Sequence, residues 1–165
     1  MQSDKKNSLS IFFPCYNDGK TISSLILEAE KTAKEITDDF EIIVVDDGST
    51  DGSQKILLDL SNKLPFLKLV FHHKNIGYGG ALRSGFSVAT KELVFYTDGD
   101  GQYDVKELPR LLEKLNDDID IVNGYKIKRR DPLYRIIIGL IYRYFVKALF
   151  NLKIRDADCD FRLIR

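Results

Sequence analysis

Two aspartates separated by one glycine, Asp98-Gly99-Asp100, follow the apolar run Leu93-Val94-Phe95-Tyr96. Residues i and i+2 of a strand share a face, so carboxylates spaced in this way at a strand end can hold one divalent cation between them. Such a cation can neutralise a diphosphate, which makes the stretch a candidate metal–nucleotide site. The same residues also suit a solvated turn, where Asp and Gly are favoured for purely local reasons. Taken alone, the stretch leaves both readings open.

Two further clusters carry chemistry. Asp46-Asp47-Gly48-Ser49-Thr50-Asp51-Gly52 precedes a helical segment that Asp51 or Ser53 can cap, and capping leaves the adjacent pair of aspartates unexplained. An aspartate at a strand end can accept a hydrogen bond from a nucleobase imide or a ribose hydroxyl. The run from Asn75 to Gly85 contains Gly77, Gly79 and Gly80, but Leu82 falls where the third glycine of a dinucleotide fingerprint would stand. It reads as a Gly-rich turn opening a helix, whose free N–H groups suit a phosphate or a sugar oxygen. Arg83, one turn inside, can reach that ligand or pair with a carboxylate. His72 and His73 have no partner at a metal-like spacing, so both are assigned structural roles.

These clusters need elements to position them. Short apolar runs at Ser10–Phe13, Glu41–Val45, Leu67–Phe71, Leu93–Tyr96 and Ile119–Val122 read as buried strands. Segments of helical period lie between them at Thr21–Ile36, Ser53–Leu60, Gly80–Ala89 and Val105–Leu115. Strict alternation predicts an α/β fold with a mostly parallel sheet and helices on both faces. Ligands in such sheets bind beyond the carboxyl ends of the strands. Those ends carry Pro14 to Asp18, Asp46 to Ser49, His72 to Asn75 and Asp98 to Asp100, four polar clusters on one edge.

A chain of 165 residues, 44% hydrophobic and 30% charged, has the size and composition of one folded domain rather than a disordered segment. Its zero net charge is unevenly divided: Met1 to Tyr125 holds 14 Lys/Arg against 21 Asp/Glu, and Lys126 to Arg165 holds 11 against 4. An acidic body can bind metal, and a basic segment can meet phosphate or an anionic membrane. Cys15 and Cys159 make neither a disulfide framework nor a metal knuckle, which points to a reducing compartment. The first residues lack the apolar core of a signal peptide, and no run of 18 apolar residues occurs. Pro132 to Phe150 has an apolar face at helical spacing and basic neighbours, including Lys126, Lys128, Arg129 and Arg130. It can lie on an anionic membrane surface or pack on a core with one solvated side.

Five motifs occur in order: Pro14-x-Tyr16-Asn17, Val45-Asp46-Asp47-Gly48-Ser49-x-Asp51, Asn75-x-Gly77-x-Gly79-x-Ala81-x-Arg83-x-Gly85, Asp98-x-Asp100-x-Gln102 and Asp156-x-x-Cys159-Asp160-Phe161-Arg162. Together they resemble the inverting glycosyltransferases of family two, and within it the polyprenyl-phosphate sugar transferases of the dolichyl-phosphate mannose synthase group. The resemblance runs from Ser10 to Arg165. It implies a Rossmann-like GT-A nucleotide-diphospho-sugar transferase fold, a Mg²⁺ or Mn²⁺ ion, and inversion at the anomeric carbon. It also implies a UDP- or GDP-sugar donor, a polyprenyl-phosphate acceptor, work at the cytoplasmic membrane face, and no nucleic-acid partner.

Carried over by motif, Pro14, Tyr16 and Asp47 would line the base and ribose pocket, with Asn17, Asp46, Gly79 and Asp98 also in the donor-binding set. Asp98, Asp100 and Gln102 would hold the metal. Arg83 would sit near the sugar diphosphate, and Asp156 with Arg162 would border the acceptor phosphate and the sugar, giving Asp100, Asp156, Arg162 and Arg83 as the catalytic set. Basic residues among Lys126 to Arg130 would approach the phosphates. Asp160 stands where the family often has glycine, and Asp18 where glutamate is frequent. Relatives usually continue beyond the Phe-Arg motif, so residues 1–165 are expected to form a single catalytic domain truncated at its C-terminus. Two other readings fit the same residues: transfer to a glycan or protein hydroxyl, with Asp156, Asp158 or Asp160 as base, and a catalytically incomplete nucleotide-sugar-binding module.

Overall fold

The computed structural model of the protein describes residues 8–125, 133–150 and 159–165. Asp156, Asp158 and Lys126 to Arg130, all assigned roles above, lie outside the described residues. Strand β1 (Leu9–Cys15) is buried along its whole length, and its alternate residues feed two cores. Leu9, Ile11, Phe13 and Cys15 enter the larger core on one face of the sheet, whereas Phe12 enters a smaller one on the other. Strand β2 (Phe40–Asp46) divides in the same way, with Ile42 and Val44 on the first face and Ile43 and Val45 on the second. Burial of both faces is why these strands read as continuous apolar runs.

With β3 (Leu67–Phe71), β4 (Leu93–Thr97), β5 (Ile121–Asn123) and β6 (Phe161–Ile164), the sheet has the order β3-β2-β1-β4-β6-β5. Strands β1 to β4 are parallel, and β6 runs antiparallel to both of its neighbours. The sequence pattern anticipates five strands and not the sixth. Phe161 and Leu163 do alternate into the larger core, but four residues carry too short a period to stand out.

Helix α1 (Ile22–Ile36) covers the larger core with Ile22, Leu25, Ile26, Ala29 and Ala33, a stripe at helical spacing. Leu57 of α2 (Ser53–Ser61) and Leu108 and Leu111 of α4 (Leu108–Leu112) complete it. The expected helix over Val105–Leu115 is shorter than its periodicity implies. A 3-10 turn at Val105–Glu107, capped by the Asp104 side chain accepting from the Lys106 amide, precedes α4. Beyond α4, the amides of Lys114 and Leu115 bond three residues back, to Leu111 and Leu112, so the coil tightens instead of continuing.

Helix α3 (Tyr78–Val88) lies on the opposite face. It approaches closely because Ala81 and Gly85 face the sheet: a Cβ on Gly85 would come within 2.5 Å of the Phe12 ring. That ring is held by Phe86 at 5.1 Å and Tyr96 at 5.2 Å between centroids. Helix α5 (Leu133–Phe150) forms where expected, with Ile138, Ile141, Tyr144, Phe145, Leu149 and Phe150 exposed. Among the described residues, no helix is long and apolar enough to cross a membrane.

The amino-terminal edge of the sheet is pinned by Glu41, which is only 2% exposed. Its carboxylate accepts from the Ser10 hydroxyl at 2.6 Å and the Thr90 amide at 2.7 Å, and pairs with Lys68 at 2.5 Å. Burial opposes its ionisation, yet Lys68, Ser10 and Thr90 together draw its pKa down to about 2. A folded pKa below the unfolded value gives stability that is complete above about pH 4.5 and fades as the pH falls through the folded value. Glu41→Gln should lower stability at pH 7 by about 2–4 kcal/mol in urea titrations. It should also flatten the loss of stability between pH 5 and about pH 2; an acid limb as steep as that of the wild type would remove Glu41 from this role.

Candidate active site

The carboxyl ends of β1, β2 and β4 and the first turn of α3 enclose a cleft of about 490 Å³. Its lining includes Pro14, Cys15, Tyr16, Asp18, Asp47, Asn75, Gly77, Tyr78, Ala81, Asp98, Gly99, Asp100 and Asp160. The volume suits a small organic ligand.

Asp47 is the anchor. One carboxylate oxygen accepts from His72 Nδ1 at 2.7 Å and from the Ile76 amide at 3.0 Å, and the other accepts from the Gly77 amide at 2.9 Å. The far side of the His72 ring meets the Ser84 hydroxyl at 2.8 Å, so His72 spans from β2 to α3. Burial works against the charge on Asp47, but the Ile76 amide, His72 and the Gly77 amide hold its carboxyl below the usual range. Two glycines make this turn possible. Gly77 has φ +91°, which an L side chain rarely adopts, and a Cβ on Gly48 would lie 2.7 Å from the Asn75 backbone nitrogen.

Asp46, one residue earlier, points to the other face of the strand. It is fully buried, and its Oδ1 accepts from the Ser49 amide at 3.1 Å and from Gln54 Nε2 at 2.7 Å. It fixes the turn into α2 and is absent from the cleft lining. Asn17 also does structural work: its Oδ1 accepts from the Thr50 amide at 2.8 Å, and its backbone N–H donates to the Ser49 hydroxyl at 2.9 Å. Its left-handed backbone, with φ 60°, is one that Asn tolerates better than most residues. The loops after β1 and β2 are therefore clamped together beside the cleft.

The Asp98-Gly99-Asp100 turn seats directly on the end of β1, where a Cβ on Gly99 would lie 2.5 Å from the Pro14 carbonyl oxygen. The Thr21 hydroxyl reaches the carbonyls of both Asp18 and Gly99 at 3.2 Å, joining that turn to the start of α1. Asp98 Oδ1 accepts from the Tyr78 hydroxyl at 2.9 Å. Asp100 accepts from the Gln102 amide at 2.9 Å and from Gln102 Nε2 at 2.7 Å. Gln102 thus orients Asp100 from outside the cleft lining. The Tyr78 phenol is pushed well above its ordinary pKa by burial and then by the charges of Asp98 and Asp160, so it remains a neutral donor.

The family model for glycosyl transferase family 2 matches residues 10–165. The chain belongs to glycosyl transferase family 2. Among curated proteins it is similar to the undecaprenyl-phosphate 4-deoxy-4-formamido-L-arabinose transferase of Yersinia enterocolitica, with 28% identity over 99% of this chain and 50% of that protein. The enzyme of the same description from Proteus mirabilis is 28% identical over 98% of this chain and 50% of its own length. The chain therefore spans about half the length of these curated relatives. Among solved structures, a glucosyl-3-phosphoglycerate synthase from Mycobacterium tuberculosis aligns with TM-score 0.72 at 20% identity, covering 96% of this chain and 57% of that one. A mannosyltransferase from Pyrobaculum calidifontis, solved with GDP-mannose and Mn²⁺, aligns with TM-score 0.65 at 23% identity over 81% and 39%. These neighbours share the GT-A fold.

Set in this family 2 domain, the residues singled out by sequence divide into two groups. The cleft gathers Pro14, Tyr16, Asp47, Asp98 and Asp100. Outside its lining are Asn17, Asp46, Gln102, Arg83, Gly79 and Arg162, five of them for identifiable reasons. Asn17 spends its side chain on the loop after β2, Asp46 on Ser49 and Gln54 at the start of α2, and Gln102 on Asp100 within its own turn. Arg83 is exposed on α3, two residues past the inward-facing Ala81. Arg162 lies on β6, where its Nε donates to the Cys159 carbonyl at 3.0 Å and its guanidinium lies 5.8 Å from the centre of the Tyr96 ring. Gly79 sits in the first turn of α3 with no atom within 4 Å of a would-be Cβ. Sequence reasoning did not select Tyr78, Asn75 or Gly77 as site residues; it treated Asp18 as a departure from the family pattern, and Asp160 both as a departure and as a candidate base for a hydroxyl acceptor.

The lining fits a divalent cation. Its carboxylates are the hard oxygen donors that Mg²⁺ and Mn²⁺ prefer, and no Lys or Arg is among the described lining residues. Like charges crowd there: burial, with the negative charges of Asp100 and Asp51, raises the Asp18 carboxyl against the pull of the Tyr16 amide. Among the described residues, no group of three or more His, Cys, Asp or Glu side chains converges as a metal cage. A cation here would take its remaining ligands from a nucleotide and water, the usual arrangement for Mg²⁺ at phosphate sites.

Proposed function

We propose that this domain is the donor-binding part of a metal-dependent, inverting glycosyltransferase that moves a sugar from a UDP- or GDP-sugar to a polyprenyl phosphate at the cytoplasmic membrane face. The observation that carries the reading is the cleft itself: several carboxylates at the carboxyl edge of an α/β sheet, with no described Lys or Arg to meet a diphosphate. The curated relatives, by their names, act on undecaprenyl phosphate. That supports a polyprenyl-phosphate acceptor. The exposed apolar side chains of α5 support a membrane surface beside it.

In the proposed reaction an acceptor phosphate oxygen forms a bond to the anomeric carbon as the bond to the nucleoside diphosphate breaks on the opposite side, which inverts the anomer. A divalent cation held by Asp98 and Asp100 would supply charge neutralisation for the departing diphosphate. Gln102 fixes Asp100, Asp47 holds the turn that carries Gly77 and Tyr78, and Tyr16 and Pro14 form the wall at the end of β1. An acceptor phosphate is an anion at neutral pH and attacks without a strong base; a hydroxyl acceptor needs one. Asp160 gives that second reading a specific footing, because it lines the cleft and a carboxylate there can take a hydroxyl proton.

Thermal unfolding should be measured with UDP, GDP and their sugar derivatives, with and without Mn²⁺. At least one nucleotide should raise the midpoint in a metal-dependent way, and Asp100→Ala should abolish that part of the shift while leaving the unliganded midpoint nearly unchanged. Absence of any metal-dependent shift in the wild type would refute the donor site. Asp160→Asn then separates the acceptors: transfer to polyprenyl phosphate should stay within a few-fold of wild type, whereas loss of a base for a hydroxyl acceptor costs about 10²–10⁴-fold. Sedimentation with anionic liposomes should bring the protein down in low salt and leave it in the supernatant with neutral liposomes. Failure to sediment with the anionic vesicles would exclude the membrane surface.

A further inference from the structure

The Tyr78 hydroxyl is a part of the cleft that the proposed chemistry does not by itself require. Tyr78 is the first residue of α3, and its position is set from behind by Gly77, whose amide is held by Asp47 at 2.9 Å and by Asn75 Oδ1 at 3.0 Å. From that mount its ring crosses the cleft, and the hydroxyl donates to Asp98 Oδ1 at 2.9 Å. This contact joins the turn anchored by β2 and β3 to the Asp98-Gly99-Asp100 turn after β4, two segments twenty residues apart in sequence. Tyr78 is 44% exposed and belongs to neither core.

We infer that Tyr78 is a positioning residue that, through its hydroxyl, orients the Asp98 carboxylate for a small octahedral cation and disfavours a larger one. The inference rests on the proposed donor site and adds a determinant of metal selectivity to it. A hydrogen bond from a neighbouring group fixes the rotamer of a ligating carboxylate, and losing such an outer contact typically costs 10–100-fold in metal affinity. The contact also engages Oδ1, which competes with chelation of one ion by both oxygens of the same carboxylate. Ca²⁺ commonly binds carboxylates in that bidentate way at 2.3–2.6 Å, whereas Mg²⁺ requires near-ideal octahedral geometry at 2.0–2.1 Å. Mn²⁺ prefers similar oxygen ligands and is the convenient spectroscopic probe.

Tyr78→Phe removes the hydroxyl and keeps the ring. Mn²⁺ binding should be followed by electron paramagnetic resonance of the free ion, with UDP or GDP present, whichever gives the larger metal-dependent thermal shift, and with Ca²⁺ as competitor. The variant should bind Mn²⁺ about tenfold more weakly, lose less affinity for Ca²⁺, and keep its unliganded unfolding midpoint. In an Asp98→Asn background the same substitution should have no further effect on Mn²⁺ affinity, because its action passes through the Asp98 carboxylate. Unchanged Mn²⁺ affinity and an unchanged Mn²⁺/Ca²⁺ ratio in Tyr78→Phe would overturn the inference while leaving the donor site standing. Wild-type protein that takes up no Mn²⁺ with either nucleotide would overturn both. An equal loss for both ions would overturn the selectivity role.

Discussion

The cleft depends on one buried carboxylate. Asp47 accepts from His72 and from the amides of Ile76 and Gly77, and so ties the ends of β2 and β3 to the first turn of α3. Each hydrogen bond to a charged group is worth about 1.5–3 kcal/mol net, and the alternative here is a charge with no partners in a buried position. Ordering the turn costs about 1–2 kcal/mol of backbone entropy per residue fixed, which is comparable to what one such bond returns. Three bonds on one side chain are therefore what a short Gly-rich turn with a positive φ at Gly77 requires to stay in place. Tyr78 is placed by that turn and donates a hydrogen bond to Asp98, so order passes from Asp47 to the turn after β4.

The two edges of the sheet use carboxylates in opposite ways. At the amino-terminal edge Glu41 has a cation, two hydroxyls and an amide around it, and its charge favours folding. At the carboxyl edge Asp18, Asp98, Asp100 and Asp160 share one cleft with no described Lys or Arg in its lining, and burial, helped by the charges of Asp100 and Asp51, raises the Asp18 carboxyl. Clustered like charges oppose folding unless a ligand neutralises them. The cost is borne by the rest of the framework: the fully buried β1, the close packing of α3 on Phe12, and the Glu41 network. Such a division is expected where a stable scaffold presents an electrostatically strained site.

Much of the framework was legible from residue types because burial on both sheet faces writes itself as apolar runs, and α1 carries a clear helical stripe. The carboxyl-edge location of the site followed from the same alternation. Individual roles were harder to read, for physical reasons that differ by residue. Asp46 and Asp47 are adjacent and identical in type; alternation says they face opposite sides, but not which side holds the cleft. Asn17 has the chemistry of a ligand-binding residue and spends it on Thr50, a contact between loops 33 residues apart. Arg83 is separated from the cleft by the rotation of α3, which is fixed by where Ala81 and Gly85 meet the sheet. Strand β6 was hidden by its brevity. Tyr78 was missed because a tyrosine beside glycines reveals nothing about where its hydroxyl points until Gly77 sets the direction of the helix.

The uneven charge of the chain takes on a structural meaning once the cleft is located. The acidic part, Met1 to Tyr125, supplies all but one of the aspartates that line the cleft. The basic part begins where β5 ends, with Lys126, Lys128, Arg129 and Arg130, and continues through the segment that forms α5. The reaction proposed above, between two phosphorylated substrates, has two anions to bring together, a donor diphosphate and an acceptor phosphate. Carboxylates can serve the first only through a cation, whereas Lys and Arg can serve the second directly. On the proposed reading the uneven charge would serve two subsites of opposite sign, and the exposed apolar side chains of α5 would suit the approach of a lipid-linked acceptor.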